Sequence, residues 1–207
     1  MKRIAFCAML IVFLMMVSPA SASPFLYNTG DGNAAWGGDA QIPISNIQAP
    51  PWAPNGTTGA GAVWVNQVDS GFQGGGPALG MLTVYTLTIS DVMNYRVRAL
   101  ADDGAHIERS LNGGAFVTLV NSSGAPQGTN CSSLQPSCPA TMVWDSGSVA
   151  LSGDDVVFRF TTSQDVARTP MGFQATISGE QVPEPATLAM FLLGLSMVVI
   201  GKAAAKS

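Results

Sequence analysis

The sequence has few charged residues, and its lysines lie only at the two ends. Only 11% of its 207 residues are Asp, Glu, Lys or Arg. Residues 23–182 contain five Arg, no Lys and twelve acidic residues, which gives this segment a net charge of −7. Such a segment repels phosphate backbones, and it has no basic stripe to offset the repulsion. We therefore expect no nucleic acid among the partners of the protein.

Residues that carry chemistry are also scarce. His106 is the only histidine, and neither a Gly-x-Ser-x-Gly elbow nor a phosphate-binding glycine loop occurs. His106 lies near Asp102 and Asp103 in the sequence, so these residues and a serine have the composition of a Ser-His-Asp catalytic triad. A secreted hydrolase is therefore kept as a distant alternative function. We predict that the protein is not an enzyme and has no cofactor.

Two pairs of aspartates are the candidates for a metal site. Asp102 with Asp103 and Asp154 with Asp155 stand at predicted strand ends, where carboxylate oxygens suit Ca²⁺. Aspartate is also common in turns, because its side chain accepts hydrogen bonds from nearby backbone N–H groups. We favour the turn role, which leaves a structural calcium ion at these residues as the alternative.

Three cysteines are present, and Cys7 lies within an N-terminal apolar run. The other two, Cys131 and Cys138, are separated by six residues. A metal site would need further Cys or His ligands, and the sequence has little to supply them. In an exported protein such neighbours pair, so we predict a Cys131–Cys138 disulfide that stabilises the fold by about 2–3 kcal/mol.

The N-terminal residues form a three-part export signal. The basic pair Lys2 and Arg3 precedes 14 apolar residues, 4–17. As a helix this run reaches roughly 21 Å, short of the ~30 Å hydrocarbon core of a membrane, so an uncleaved anchor is disfavoured. Ala20 and Ala22 then supply the small side chains that signal peptidase requires. We predict a signal helix in residues 1–22, removed after Ala22.

A second membrane signal lies near the other end. Pro183, Glu184 and Pro185 precede an apolar run at 188–200, which is followed by two lysines. The prolines favour an extended strip, because each fixes its own φ and disfavours helix in the residue before it. Extended, exposed backbone is what a protease can bind. We predict a transmembrane helix at about 186–201, with the positive residues after it kept inside.

This tail resembles the PEP-CTERM sorting signal, which combines a Pro-Glu-Pro motif, a short transmembrane helix and a basic end. The resemblance implies that residues 182–207 are recognised by an exosortase in the inner membrane of a Gram-negative bacterium. It also implies cleavage near residues 183–185 after a transient stay in that membrane, and delivery to the cell surface or the exterior. This tail has two lysines where the family has an Arg-rich cluster. A plain anchor that is never cut is the alternative.

Residues 23–180 show the pattern of a β domain. The chain has 23 Gly and 13 Pro, and apolar residues alternate with polar ones, which indicates strands with one buried face. We predict an irregular strand or two before residue 54 and then eight strands. Because so many short antiparallel strands pack as two sheets, we expect an all-β, antiparallel β-sandwich of jelly-roll type. The eight strands are predicted near 61–68, 81–90, 93–100, 104–110, 115–120, 140–145, 154–162 and 171–178.

Two stretches of this domain, YRVRALADDGAHIERSLNGGAFVTLV and GDDVVFRFTTSQDVARTPMGFQATISGE, are similar to the central hairpin and closing strands of galactose-binding-domain-like jelly rolls. The resemblance implies the same sandwich fold and points towards sugar binding. It covers some 55 residues, about 95–120 and 153–180.

Two functions are compatible with these features. The export signals favour a structural or adhesive protein of the cell surface or extracellular matrix. The alternative is a carbohydrate-binding module of the envelope or exopolysaccharide, with polysaccharide as the partner. Flat aromatic rings stack on sugars, although a domain of this size also needs large residues in its core. The candidates for stacking are Trp36, Trp52, Trp64 and Trp144.

Overall fold

The protein is all-β in the part that its structure, a computed structural model, describes. Pro24–Val182 form one compact unit. A search of the described residues finds no helix that is long and apolar enough to cross a membrane. The predicted signal helix and the predicted helix at 186–201 lie outside these residues. The structure describes residues 22–44, 53–67, 82–102, 105–121, 130–131, 143–163 and 172–182.

One long strand organises the sheet. β5 spans 21 residues, and its first half pairs with β2 on one side and β10 on the other. Its second half pairs with β11 and β9. All pairs for which a register is given are antiparallel except β5 with β8. The strands are β1 Ser23–Asn28, β2 Trp36–Gly38, β3 Ile42–Pro43, β4 Val65–Asn66, β5 Leu82–Asp102, β6 Ala105–Leu111, β7 Val117–Asn121, β8 Asn130–Cys131, β9 Trp144–Asp145, β10 Val149–Ser163 and β11 Phe173–Gln181.

The sheet changes direction at Asp91, in the middle of β5. Asp91 has a φ of 55°, and the pairing of β10 shifts register on both sides of Asp154, next to Gly153 with its φ of 90°. Extra residues of this kind bend a strand and increase its twist. Strands that bend at such points pass from one sheet of a sandwich to the other. The single hydrogen-bonded sheet is thereby folded into two layers.

Aromatic contacts show that the two layers pack face to face. Phe173 in β11 stacks on Tyr85 of β5 at 5.7 Å between ring centroids, and lies 5.2 Å from Phe160 of β10. β11 has no hydrogen-bonded register with either of these residues, so the contacts join the layers across the core. Each buried phenylalanine contributes roughly 1.5–3 kcal/mol by leaving water.

The predicted alternation is confirmed in the long strands. Inward-facing residues are at most 2% exposed, and their neighbours are half-buried or exposed along β10 and along β5 as far as Arg98. The all-β, antiparallel architecture is therefore confirmed, whereas the jelly-roll connectivity stays a prediction. The fully buried side chains that show the period of two are Tyr85, Leu87, Ile89, Val156, Phe158 and Phe160. In β11 the predicted alternation fails, because Gln174 and Thr176 are buried as well as their apolar neighbours.

Turn-forming residues in the sequence, Asn112-Gly113-Gly114 and Gly153-Asp154, predict breaks between strands, and the structure confirms only the first of these. Asn112 and Gly113 adopt positive φ values of 51° and 71° and close the hairpin between β6 and β7, as predicted. Gly153 and Asp154 do not end a strand, because the positive φ of Gly153 accommodates an extra residue inside β10. The predicted strands 81–90 and 93–100 are likewise one strand, bent at Asp91.

Candidate functional site

The four tryptophans lie in different environments. Trp64 is fully buried, and its indole N–H donates to the Ala53 carbonyl at 2.7 Å. Trp64 is therefore a core residue and offers no face to a sugar, which corrects the prediction for it. Trp144 in β9 is half-buried and packs against the core. Trp52 lies outside the described residues, and Trp36 lines a pocket.

This pocket, called the Trp36 pocket below, is formed by residues 30–43, the loops and short strands between β1 and β4. Its volume is about 510 Å³, within the usual range for small-molecule sites. Four of its lining residues are glycines, which leave the backbone accessible. The side chains that give the pocket its chemical character are Asn33, Trp36, Asp39 and Gln41.

Hydrogen bonds hold the pocket in shape. The Gly30 N–H donates to Gln41 Oε1 at 2.7 Å, which joins the two ends of the loop. Asp39 makes two hydrogen bonds to Val84 of β5. Its N–H donates to the Val84 carbonyl at 2.8 Å, and its Oδ2 accepts from the Val84 N–H at 2.7 Å. The pocket therefore exists before any ligand binds, which lowers the entropy cost of binding.

Trp36 is held between the pocket and the core. Its backbone pairs with Leu87 of β5, and its ring centroid lies 5.8 Å from that of Phe160. The indole Nε1 of Trp36 and the amide Nε2 of Gln41 are buried, and neither has a hydrogen-bond partner among the described residues. Because both atoms are buried, they lie behind the surface that the pocket presents to a ligand.

The electrostatics of the pocket are set by one carboxylate. Asp39 is the only ionisable side chain among the described residues that line it. Burial, and to a smaller extent the charge of Asp39, raise the pKa of the nearby Tyr85 hydroxyl well above its usual range. Tyr85 is therefore neutral at physiological pH and cannot add to the negative charge of Asp39.

His106 lies on β6 in an ion-pair cluster. Its Nε2 is 3.4 Å from Glu108 Oε1, and Arg159 donates to Glu108 Oε2 at 2.6 Å. The Arg159 guanidinium also lies 4.0 Å from the ring centroid of Phe116, a cation–π distance. Asp103 and the side chain of Asp102 lie outside the described part, so the hydrolase alternative is untested.

The second aspartate pair lies at the bulge inside β10, where both carboxylates accept hydrogen bonds from nearby strands and backbone. Asp154 accepts hydrogen bonds from the Ser152 N–H at 3.1 Å and from Asn112 Nδ2 at 2.6 Å, and these lower its pKa. Asp155 Oδ1 accepts from the Asp91 N–H at 3.3 Å. Within the described ranges, no group of three or more His, Cys, Asp or Glu residues is placed to hold a metal ion.

Several predicted residues cannot be placed. Ala20, Cys138, Pro183, Glu184 and Pro185 lie outside the described residues. Of their partners, Ala22 directly precedes β1, and Cys131 is in β8, which pairs with the end of β5. The Cys131–Cys138 disulfide and both cleavage positions therefore stay predictions.

The end of the β unit is firmly attached to the sheet. Gln181 pairs with Val92, and its Nε2 donates to the Ser90 carbonyl at 2.8 Å. The Val182 N–H donates to the Asp91 carbonyl at 2.6 Å. The folded domain thus continues to the residue before Pro183.

A β domain followed directly by a Pro-Glu-Pro segment and an apolar run defines an exported protein with a sorting tail. A family model described as the PEP-CTERM protein-sorting motif matches residues 181–206. The chain therefore carries a PEP-CTERM sorting signal, and the prediction of this signal is confirmed. The motif indicates that the chain is exported and that an exosortase is its processing partner. No curated protein matches the chain.

Sequence reasoning found Trp36 but missed the polar residues of its pocket. Asn33, Asp39 and Gln41 lie in a glycine-rich stretch that was interpreted only as irregular sequence. The density of glycine, amide and acidic residues around a tryptophan, TGDGNAAWGGDAQ, is the signal that could have identified them.

Proposed function

We propose that the protein is a structural or adhesive component of the cell surface or extracellular matrix of a Gram-negative bacterium. In this proposal, signal peptidase removes residues 1–22, and an exosortase cuts near residues 183–185 after a transient stay in the inner membrane. The β domain of residues 23–180 is then the mature protein. The observation that carries the proposal is the sorting motif at 181–206, which follows the last strand without a linker.

The described domain suits life outside the cell in two physical respects. Its acidic balance keeps it soluble and limits non-specific association with polyanions. Its last strand is hydrogen-bonded up to Val182, so the tail can be cut away without removing any strand of the sheet. Both features agree with a stable domain that is released or attached after processing.

Processing is tested by comparing two glutamates close to each other in the sequence. In cells that express the protein, Glu184→Ala should leave the full-length form in the membrane fraction, whereas the native protein is shortened and found outside. Glu180→Ala is the matched control, because Glu180 is exposed on β11, before the Pro-Glu-Pro segment. Equal processing of both variants would contradict the proposal.

The structural or adhesive role needs a separate measurement. Cells that lack the protein should lose part of their surface attachment or matrix cohesion, and the native gene should restore it. The Glu184→Ala gene should not restore it, because the protein stays in the inner membrane. Restoration by this variant, or no defect in cells without the protein, would contradict the role.

The second candidate function is a carbohydrate-binding module of the envelope or exopolysaccharide. It is favoured by the half-buried ring of Trp36 beside the polar side chains of its pocket. Polysaccharide would then be the partner through which the domain adheres.

A further inference from the structure

We propose that the Trp36 pocket binds an uncharged sugar residue of an extracellular polysaccharide. This inference rests on the proposed export of the domain, because an extracellular glycan reaches only an exported site.

The apolar part of the ligand is set by Trp36. It is the only aromatic residue among the described residues of the lining, and Phe160 supports it from the core side at 5.8 Å. One supported indole offers a single flat apolar surface, which suits the C–H face of a sugar ring. A lipid or a large aromatic ligand would need an apolar lining on several sides.

The polar part of the ligand is set by Asn33 and Asp39. Amide and carboxylate groups together offer both donors and acceptors, which matches hydroxyl groups that donate and accept. Gln41 uses its Oε1 for the Gly30 N–H at 2.7 Å, while its buried Nε2 has no partner among the described residues. That donor is buried, as is Nε1 of Trp36, so a ligand would contact Asn33 and Asp39 rather than these two atoms.

The charge of the ligand is set by Asp39. Its carboxylate is the only ionisable group in the described lining, so no cation there can compensate an anionic sugar. Residues 23–182 as a whole carry a net charge of −7. A uronic acid or a phosphorylated sugar would therefore be repelled both locally and at long range. An uncharged sugar residue meets no such penalty.

Binding is tested with the protein recovered from the exterior of the producing cells. Dextran and galactomannan serve as uncharged probes and alginate as the anionic probe. We expect saturable binding of at least one uncharged probe, accompanied by a change in tryptophan fluorescence, and no binding of alginate. In Trp36→Leu the affinity should fall about tenfold or more and the fluorescence change should disappear.

Trp144→Leu is the matched control. Trp144 is also half-buried and packed against the core, but it does not line the pocket, so this variant should bind like the native protein. If Trp36→Leu fails to fold, Trp36→Phe and Asp39→Asn test the same site. The first keeps the ring contact with Phe160, the second keeps an acceptor for the Val84 N–H, and both should bind more weakly.

Several results would overturn the inference. These are preference for alginate, equal loss in Trp36→Leu and Trp144→Leu, or no binding of any uncharged probe. Because export is read independently from where the protein is found, failure of this inference leaves the sorting of the protein intact. Conversely, a protein that never leaves the cell contradicts the proposed function and removes the premise of the pocket's role.

Discussion

At the scale of single residues, Gly179 lies where β11 leaves no room for a side chain against β5 and β1. A Cβ atom at this position would clash with the Asn94 carbonyl oxygen and lie 2.7 Å from Phe25 Cζ. Backbone cannot move away cheaply, so Gly179→Ala should lower the free energy of unfolding by about 1–3 kcal/mol. Urea denaturation measures this change. Ser178→Ala is the control, and equal midpoints for the two variants would contradict the close packing seen here.

A second residue-scale prediction concerns pH. The hydrogen bond and charge of Arg159 hold the pKa of Glu108 below its ordinary value of 4.5. The folded state therefore binds fewer protons than the unfolded state as the pH falls below about 4.5. The stabilisation is fully present above that pH and is lost as the pH drops through the lower pKa of the folded state.

Glu108→Gln removes this titration. The difference between the urea midpoints at pH 7 and pH 3 should be smaller in Glu108→Gln than in the native protein. Glu180→Gln is the control on an exposed glutamate of the same sheet. If Glu108→Gln loses as much stability on acidification as the native protein, the ion pair with Arg159 does not act as described.

At the scale of secondary-structure elements, the bend of β5 depends on Asp91. Its positive φ of 55° is unfavourable for a β-branched side chain. Its carbonyl oxygen also accepts a hydrogen bond from the Val182 N–H at 2.6 Å. The bend therefore joins the centre of β5 to the end of β11. The two layers of the domain are connected through this residue.

Asp91→Val should therefore destabilise the domain by about 1–2 kcal/mol, because the left-handed region is costly for such a residue. Asp91→Gly should stay close to the native stability, since glycine adopts this φ freely. Thermal or urea unfolding of the two variants measures the difference. A Val variant as stable as the Gly variant would show that the bend does not need this φ.

The elements differ in how far local sequence predicts them. The strand pattern and the Asn112–Gly113 turn follow from nearby residues, and both were predicted. The bend at Asp91 was missed, because its hydrogen-bond partners, Asp155 as acceptor and Val182 as donor, lie far along the chain. The Trp36 pocket was missed for the same reason, since Val84 of β5 holds Asp39 in place across 45 positions.

Burial explains why the tryptophans could not be ranked from the sequence. Trp64 and Trp36 both follow stretches that contain small residues, glycine and alanine among them, yet one is in the core and the other lines a pocket. Which ring faces solvent is decided by the packing of distant strands. Composition alone therefore indicated a group of candidates but not the one beside the polar side chains.

At the scale of the whole molecule, the sorting tail was the part that the sequence predicted most directly. Sorting signals are read as linear segments, so their residues need no tertiary partner to be recognised. The family match at residues 181–206 confirms this for the tail. It also agrees with the structure, in which the last strand ends at Gln181 and the hydrogen-bonded sheet at Val182.

The central claim is that the chain is trimmed at both ends on its way out of the cell. The most direct test is the intact mass of the protein recovered from the exterior, measured without a reducing agent. We predict a chain that begins at Ser23, ends close to Pro183 and contains a Cys131–Cys138 disulfide. An extracellular protein that still carries Lys202 and Lys206 would contradict the claim.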